Sequence, residues 1–155
     1  MKKRLLATIL MGLTLLTACG SNSAEPSASV SEMTKGITEC GVSFNELVEV
    51  PTDKIDQIYG VSSNDYSEVS AYRAGSGGYA DEVVIFKASS SDSVANLQDA
   101  LNKVIESKKN DFDGYVQEQY DILCKSKVIT TGDYVCLIVC SDNDTAISTY
   151  EEYFK

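Results

Sequence analysis

Histidine and tryptophan are absent from the 155 residues, and only two prolines interrupt them. Without histidine there is no Ser-His or Cys-His nucleophile pair and no imidazole to hold a metal. No serine stands three residues before a lysine, so the Ser-x-x-Lys nucleophile is missing as well. Positive charge is scarce: 13 basic residues face 23 acidic ones, for a net charge of −10. A chain this acidic has little electrostatic attraction for nucleic acid. The cysteines form no CxxC knuckle for zinc. Gly75-Ser76-Gly77-Gly78 lacks the Gly-Lys-Ser/Thr ending of a phosphate loop and leads into a strand pattern, which makes it a hairpin turn. Asp142-Asn143-Asp144 opens like a calcium loop, but its sixth place is Ile147 and its twelfth Tyr153, so it reads as a helix cap. No catalytic residue, metal site or cofactor is expected.

What is present begins at the N-terminus. Met1-Lys2-Lys3-Arg4 supplies cations, residues 5–17 are apolar, and Leu16-Thr17-Ala18-Cys19 closes the segment. That order is a secretory leader, and its apolar core of about a dozen residues is short of the roughly 20 that span a bilayer. The ending resembles a lipobox. That resemblance to bacterial lipoproteins implies cleavage before Cys19, a diacylglycerol thioether on Cys19 and a palmitate-bearing anchor on the extracytoplasmic face of the cell membrane. Two acyl chains give stable attachment. Loss of the leader removes three cations and no acid, leaving 10 basic against 23 acidic residues, a net charge of −13.

Three segments are expected: a leader over 1–18, a lipidated cysteine with a flexible tether over 19–39, and one domain over 40–155. The tether reading rests on the Ser, Asn, Ala, Glu and Pro composition of residues 20–35. Within the domain, Pro51 and Thr52 open a short helix that ends at Gly60, with Ile55, Ile58 and Tyr59 on one face. Residues 69–74 and the apolar run 83–86 flank the glycine turn as a first hairpin. Ser91 and Asp92 are N-cap candidates for a long helix carrying Val94, Leu97, Leu101, Val104 and Ile105 at three- and four-residue spacing. A second helix covers 115–125. Residues 127–130 and 134–140 flank Thr131-Gly132-Asp133 as a second hairpin, and 144–154 is helical with Ile147, Tyr150 and Phe154 inward. The order gives an α+β fold: an antiparallel sheet of about four strands in two hairpins, packed against helices. Residues 83–86 and 134–140 are apolar at nearly every position and belong at the centre, with 69–74 and 127–130 as edges.

Residues 53–154 resemble, in order and spacing, the bacterial lipoprotein domain-of-unknown-function family 4358. Ile58-Tyr59-Gly60, the strand from Asp81 through Glu82 to Lys87, Tyr115 with Glu118-Gln119-Tyr120, and Lys127 through Gly132-Asp133-Tyr134-Val135 into Ser141-Asp142 carry the resemblance. It implies a Gram-positive source and an extracytoplasmic lipoprotein, and it brings no catalytic residue.

Cys40, Cys124, Cys136 and Cys140 remain after lipidation. Cys136 and Cys140 lie on one strand about 13 Å apart, too far for a bridge that needs Cα atoms within about 7 Å. Two pairings stay open: Cys40 with Cys136 and Cys124 with Cys140, or Cys40 with Cys140 and Cys124 with Cys136. The simpler expectation is that Cys124, Cys136 and Cys140 are buried free thiols. Of nine tyrosines, Tyr59, Tyr120 and Tyr134 fit core positions, whereas Tyr66, Tyr72 and Tyr79 around the first hairpin are the candidate binding residues. The expected function is therefore a non-catalytic binding or accessory module of the cell envelope, whose partners are the membrane and an unidentified envelope protein or ligand. The alternative is a carboxylate-dependent extracytoplasmic hydrolase built from Asp111, Asp113, Glu118 or Asp121. Replacing Cys19 by alanine should abolish fatty-acid labelling and membrane retention. Metabolic labelling checks this, and equal labelling of variant and wild type would remove Cys19 as the acceptor.

Overall fold

The structure, a computed structural model, describes residues 25–155. The leader and Cys19 lie outside the described residues. One antiparallel sheet organises the rest: β1 (Leu47–Glu49), β2 (Tyr66–Ala74), β3 (Glu82–Ala88), β4 (Val128–Thr131) and β5 (Tyr134–Val139), in the order β1-β2-β3-β5-β4. The helices are α1 (Val30–Thr38), α2 (Ile55–Tyr59), α3 (Ser91–Phe112), α4 (Gln117–Lys125) and α5 (Asn143–Glu152). No helix among the described residues is long and apolar enough to cross a membrane.

The two apolar strands are central, and their continuous hydrophobicity has a direct cause. Along β3, Val84 and Phe86 point into one core while Val83 and Ile85 point into the other. Along β5, Val135, Leu137 and Val139 join the first and Tyr134, Cys136 and Ile138 the second. Strands covered on both faces have no wet side on which to place polar residues. The first core is closed by α2, α3 and α4 through Ile55, Tyr59, Leu97, Leu101, Ile105 and Leu123. The second is closed by α1 and α5 through Val30, Met33, Ile37, Ala146 and Tyr150.

The long helix α3 forms where its periodicity places it, with its cap one residue earlier than expected: Ser90 Oγ accepts from Ser93 N at 3.2 Å. Helix α2 is preceded by a 3-10 turn over Thr52–Lys54 and stops at Gly60, whose φ of 64° is a left-handed conformation that glycine adopts without strain.

Three expectations are corrected. The tether does not reach residue 39, because residues 30–38 are α1. Ser29 caps α1 by a reciprocal box, its hydroxyl accepting from Glu32 N at 3.3 Å while Glu32 Oε2 accepts from Ser29 N at 3.0 Å. Val30, Met33 and Ile37 then fall on one buried face. Gly36 lets this helix approach the C-terminal segment, since a Cβ there would strike the Tyr153 hydroxyl. Second, the sheet has five strands, and the extra one, β1, is too short to show a periodicity. Third, β2 is not an edge: β1 pairs with it from Leu47↔Ala74 to Glu49↔Tyr72, leaving β1 and β4 outermost.

If α1 is integral, Ile37→Ala should cost about 2–5 kcal/mol, the usual range for emptying a buried isoleucine site. Thermal unfolding of variant and wild type measures it, and an unchanged midpoint would return residues 30–38 to the tether.

Candidate functional site

One row of residues crosses the sheet near the glycine turn: Val48, Arg73, Glu82 and Val139 are successive cross-strand partners. They face α2 and α3, and Glu82 is the anomaly among them, a carboxylate with no exposure. Its Oε1 accepts from the Tyr59 hydroxyl at 2.7 Å. Its Oε2 forms an ion pair with Lys108 Nζ and has no other partner. Lys108 also donates to Ala80 O at 3.0 Å, and Ala80 N donates to Gln119 Oε1 at 2.8 Å. The end of the β2–β3 turn is thus tied to α3 and α4, and α2 is tied to β3. Burial, then the adjacent Glu82 carboxylate, push the Tyr59 phenol far above its ordinary value, with Arg73 acting in the opposite direction.

Arg73 stands above this network, half-buried. It is the only arginine among the described residues, and no carboxylate among them lies within ion-pair distance of it. Three cavities meet at its side chain. The largest, about 450 Å³, is an open, mainly apolar slot formed by Val48, Glu49, Val50, Pro51 and Ile58 with residues 74–77. A second, about 170 Å³, lies beneath Tyr79 and Tyr115 and is bordered by Lys108 and Asp111. The third, about 140 Å³, leads inward to Glu82, Val104 and Ser107. Val48, Tyr79 and Tyr115 are 55%, 42% and 77% exposed, and they are the exposed large hydrophobic residues among the described ones. All of them line cavities that share Arg73.

The three candidate tyrosines do not come together. Tyr79 belongs to this face. Tyr66 starts β2 at the opposite end, where its hydroxyl donates to Asp56 Oδ1 at 2.7 Å and its ring meets Phe86 edge-on at 5.3 Å between centroids. Burial and that carboxylate push its phenol up to about 12. A register shift between Tyr66 and Glu68 turns Tyr66 toward the first core, while Tyr72 faces the other side, near Glu39. Of the four candidate carboxylates, Asp111 borders the cavities at Arg73, and Asp113, Glu118 and Asp121 are exposed outside them. Among the described residues no three histidine, cysteine, aspartate or glutamate side chains are grouped to hold a metal ion.

Arg73, Lys108, Glu82 and Tyr115 were not candidates on sequence. The usable signal was weak: one arginine between an alternating strand and a glycine turn, and one glutamate opening an otherwise apolar run.

A family model for a domain of unknown function, DUF4358, matches residues 41–140. The chain belongs to that family. Its match takes in β1 through β5 and the whole Arg73 face, and leaves α1 and α5 outside. No curated protein and no solved structure matches the chain.

The four cysteines among the described residues are free thiols. Cys124 is exposed rather than buried, because it lies on the outer side of α4; its thiol, near Tyr120, raises the Tyr120 phenol. Cys136 and Cys140 are buried in the second core, and desolvation pushes the Cys140 thiol up to about 12 and Cys136 higher still. The sheet separates Cys124 from Cys136, which removes their pairing. In native protein at neutral pH, a thiol reagent should therefore modify Cys124 first, Cys40 more slowly, and Cys136 and Cys140 only once denaturant opens the core. Mass spectrometry of partially labelled protein gives that order, and early labelling of Cys136 would contradict its burial.

Proposed function

We propose that this DUF4358 protein is a lipid-anchored extracytoplasmic binding module that takes its partner on the face around Arg73. The observation that carries the reading is the coincidence of a half-buried cation that has no ion-pair partner among the described residues with the large hydrophobic residues exposed among them. Exposed aromatic and apolar groups beside a preformed cavity mark a recognition surface. Arginine and tyrosine are the side chains that concentrate binding energy in such surfaces.

The start of the described chain and the face lie at opposite ends of the sheet. The described chain enters at Glu25, which lies 3.9 Å from Lys87 and accepts from the Tyr134 hydroxyl at 3.3 Å, and Ser27 N donates to Tyr153 O at 2.8 Å. Lys87 is five residues along β3 from Glu82, about 17 Å from the Arg73 row. Five residues stand between Cys19 and Glu25, at most about 20 Å of chain. A lipid on Cys19 would keep the Lys87 end within that reach of the membrane, which supports an outward-facing Arg73 end.

A photo-crosslinking residue placed at Tyr115 of the full chain, expressed in its own envelope, should give a discrete product. Substituting Arg73→Gln in that chain should remove it. The same probe at Glu152, on α5 behind the sheet, should give none. Equal products from both positions, or persistence in the Arg73→Gln background, would reject this face.

A further inference from the structure

We infer that the Arg73 face captures the carboxyl end of an extended peptide, with the terminal carboxylate on Arg73 and the last side chain in the slot of Val48, Val50, Pro51 and Ile58. The inference rests on the binding-face reading above and names the ligand of that face.

The cation comes first. Lys108 is already committed to Glu82 and to Ala80 O, so Arg73 is the group left to receive an anion. A guanidinium presents two parallel N–H donors that match both oxygens of one carboxylate. Glu82 lies across the strand pair from Arg73, and Asp111 borders the same cavities. Those carboxylates admit a planar monoanion and oppose a dianionic phosphate.

The cavities around Arg73 favour a chain that ends there. From the open slot of about 450 Å³ the space divides at Arg73 into two smaller cavities, one of about 170 Å³ beneath Tyr79 and Tyr115 and one of about 140 Å³ against Glu82, Val104 and Lys108. The smaller one has room for a carboxylate and water, not for a chain running through. The slot is open along its length, so a long alkyl chain would leave methylenes in water, whereas a peptide fills it with one side chain and keeps its backbone hydrated or paired.

A partner for that backbone is in place. β1 is outermost in the sheet, and Glu46 O and Val50 N bond inward to Gly75 N and Ala71 O at 3.0 and 2.9 Å. By the alternation of an antiparallel ladder, the N–H and C=O of Leu47 and Glu49 then point outward. An extended peptide adds along that edge while its carboxylate reaches Arg73, which combines strand addition with terminal-carboxylate capture.

The test presents the full chain in lipid nanodiscs with two pools of random hexapeptides, one with free carboxyl ends and one amidated. The free-acid pool should yield enriched sequences ending in an apolar residue. Amidating an enriched peptide should weaken binding by at least about tenfold, since a charge-assisted bidentate contact is lost. Arg73→Gln should cause the same loss and erase the acid–amide difference, Arg73→Lys should recover part of it, and Asp111→Asn should tighten the acid. Circular dichroism checks that each variant is folded. Equal binding of acid and amide overturns the inference, as does enrichment of internal acidic motifs, displacement of the peptide by dodecanoate at equal concentration, or no enrichment in either pool. In each of those cases the crosslinking result at Tyr115 separately decides whether the face itself stands.

Discussion

A carboxylate shut away from water, that of Glu82, is the constraint around which the hairpin end of this domain is arranged. Removing a charge from water costs several kcal/mol unless partners replace the lost hydration, and breaking one member of a buried pair costs about 3–5 kcal/mol. Tyr59 and Lys108 are those partners, one from α2 and one from α3. The contact obliges α2, α3 and β3 to meet in one register, and Lys108 and Gln119 in turn fix the peptide groups of Ala80. An apolar substitute could match the packing, but it would not specify which turn of α3 lies over β3. The ion pair supplies that specification, and Arg73 stands beside it as the cross-strand partner of Glu82.

The same network explains how a cation can stand unpaired in a domain with so many acids. Arg73 is flanked across the strand by Glu82, whose charge is shared with Lys108 and Tyr59. The guanidinium is thus attracted to its site without being neutralised there. Neighbouring Val48, Tyr79 and Tyr115 then remain uncovered beside a charge that still has donors to offer.

The sequence showed its long-range order more readily than its surface. The three- and four-residue spacing of Leu97, Leu101 and Ile105 made α3 legible, and the unbroken apolar runs made β3 and β5 central, because many residues repeat one pattern there. Helix α1 was hidden by its neighbours: Ser29, Glu32, Val30, Met33 and Ile37 carry a capping box and an apolar stripe, but they sit in a stretch whose composition is that of a linker. β1 has three residues and no repeat to detect. The three tyrosine candidates do not share one face for a local reason, since one extra residue between Tyr66 and Glu68 reverses which face Tyr66 occupies, and no strand pattern announces a bulge. Arg73 became a candidate only through what surrounds it in space, Val48 from one strand and Tyr115 from beyond α3.

The entry of the chain at Glu25 and Ser27, at the far end of β3 from Arg73, has a mechanical consequence. On the proposed reading, tension between a membrane-held lipid and a partner at Arg73 would enter through α1, which packs on β2 and β3, and leave through β2, so that the β2–β3 hydrogen bonds are loaded side by side in shear. Bonds loaded that way share the force and fail together, whereas bonds loaded at one end open in succession. On that reading the antiparallel sheet lies in the direction in which it best resists being stretched.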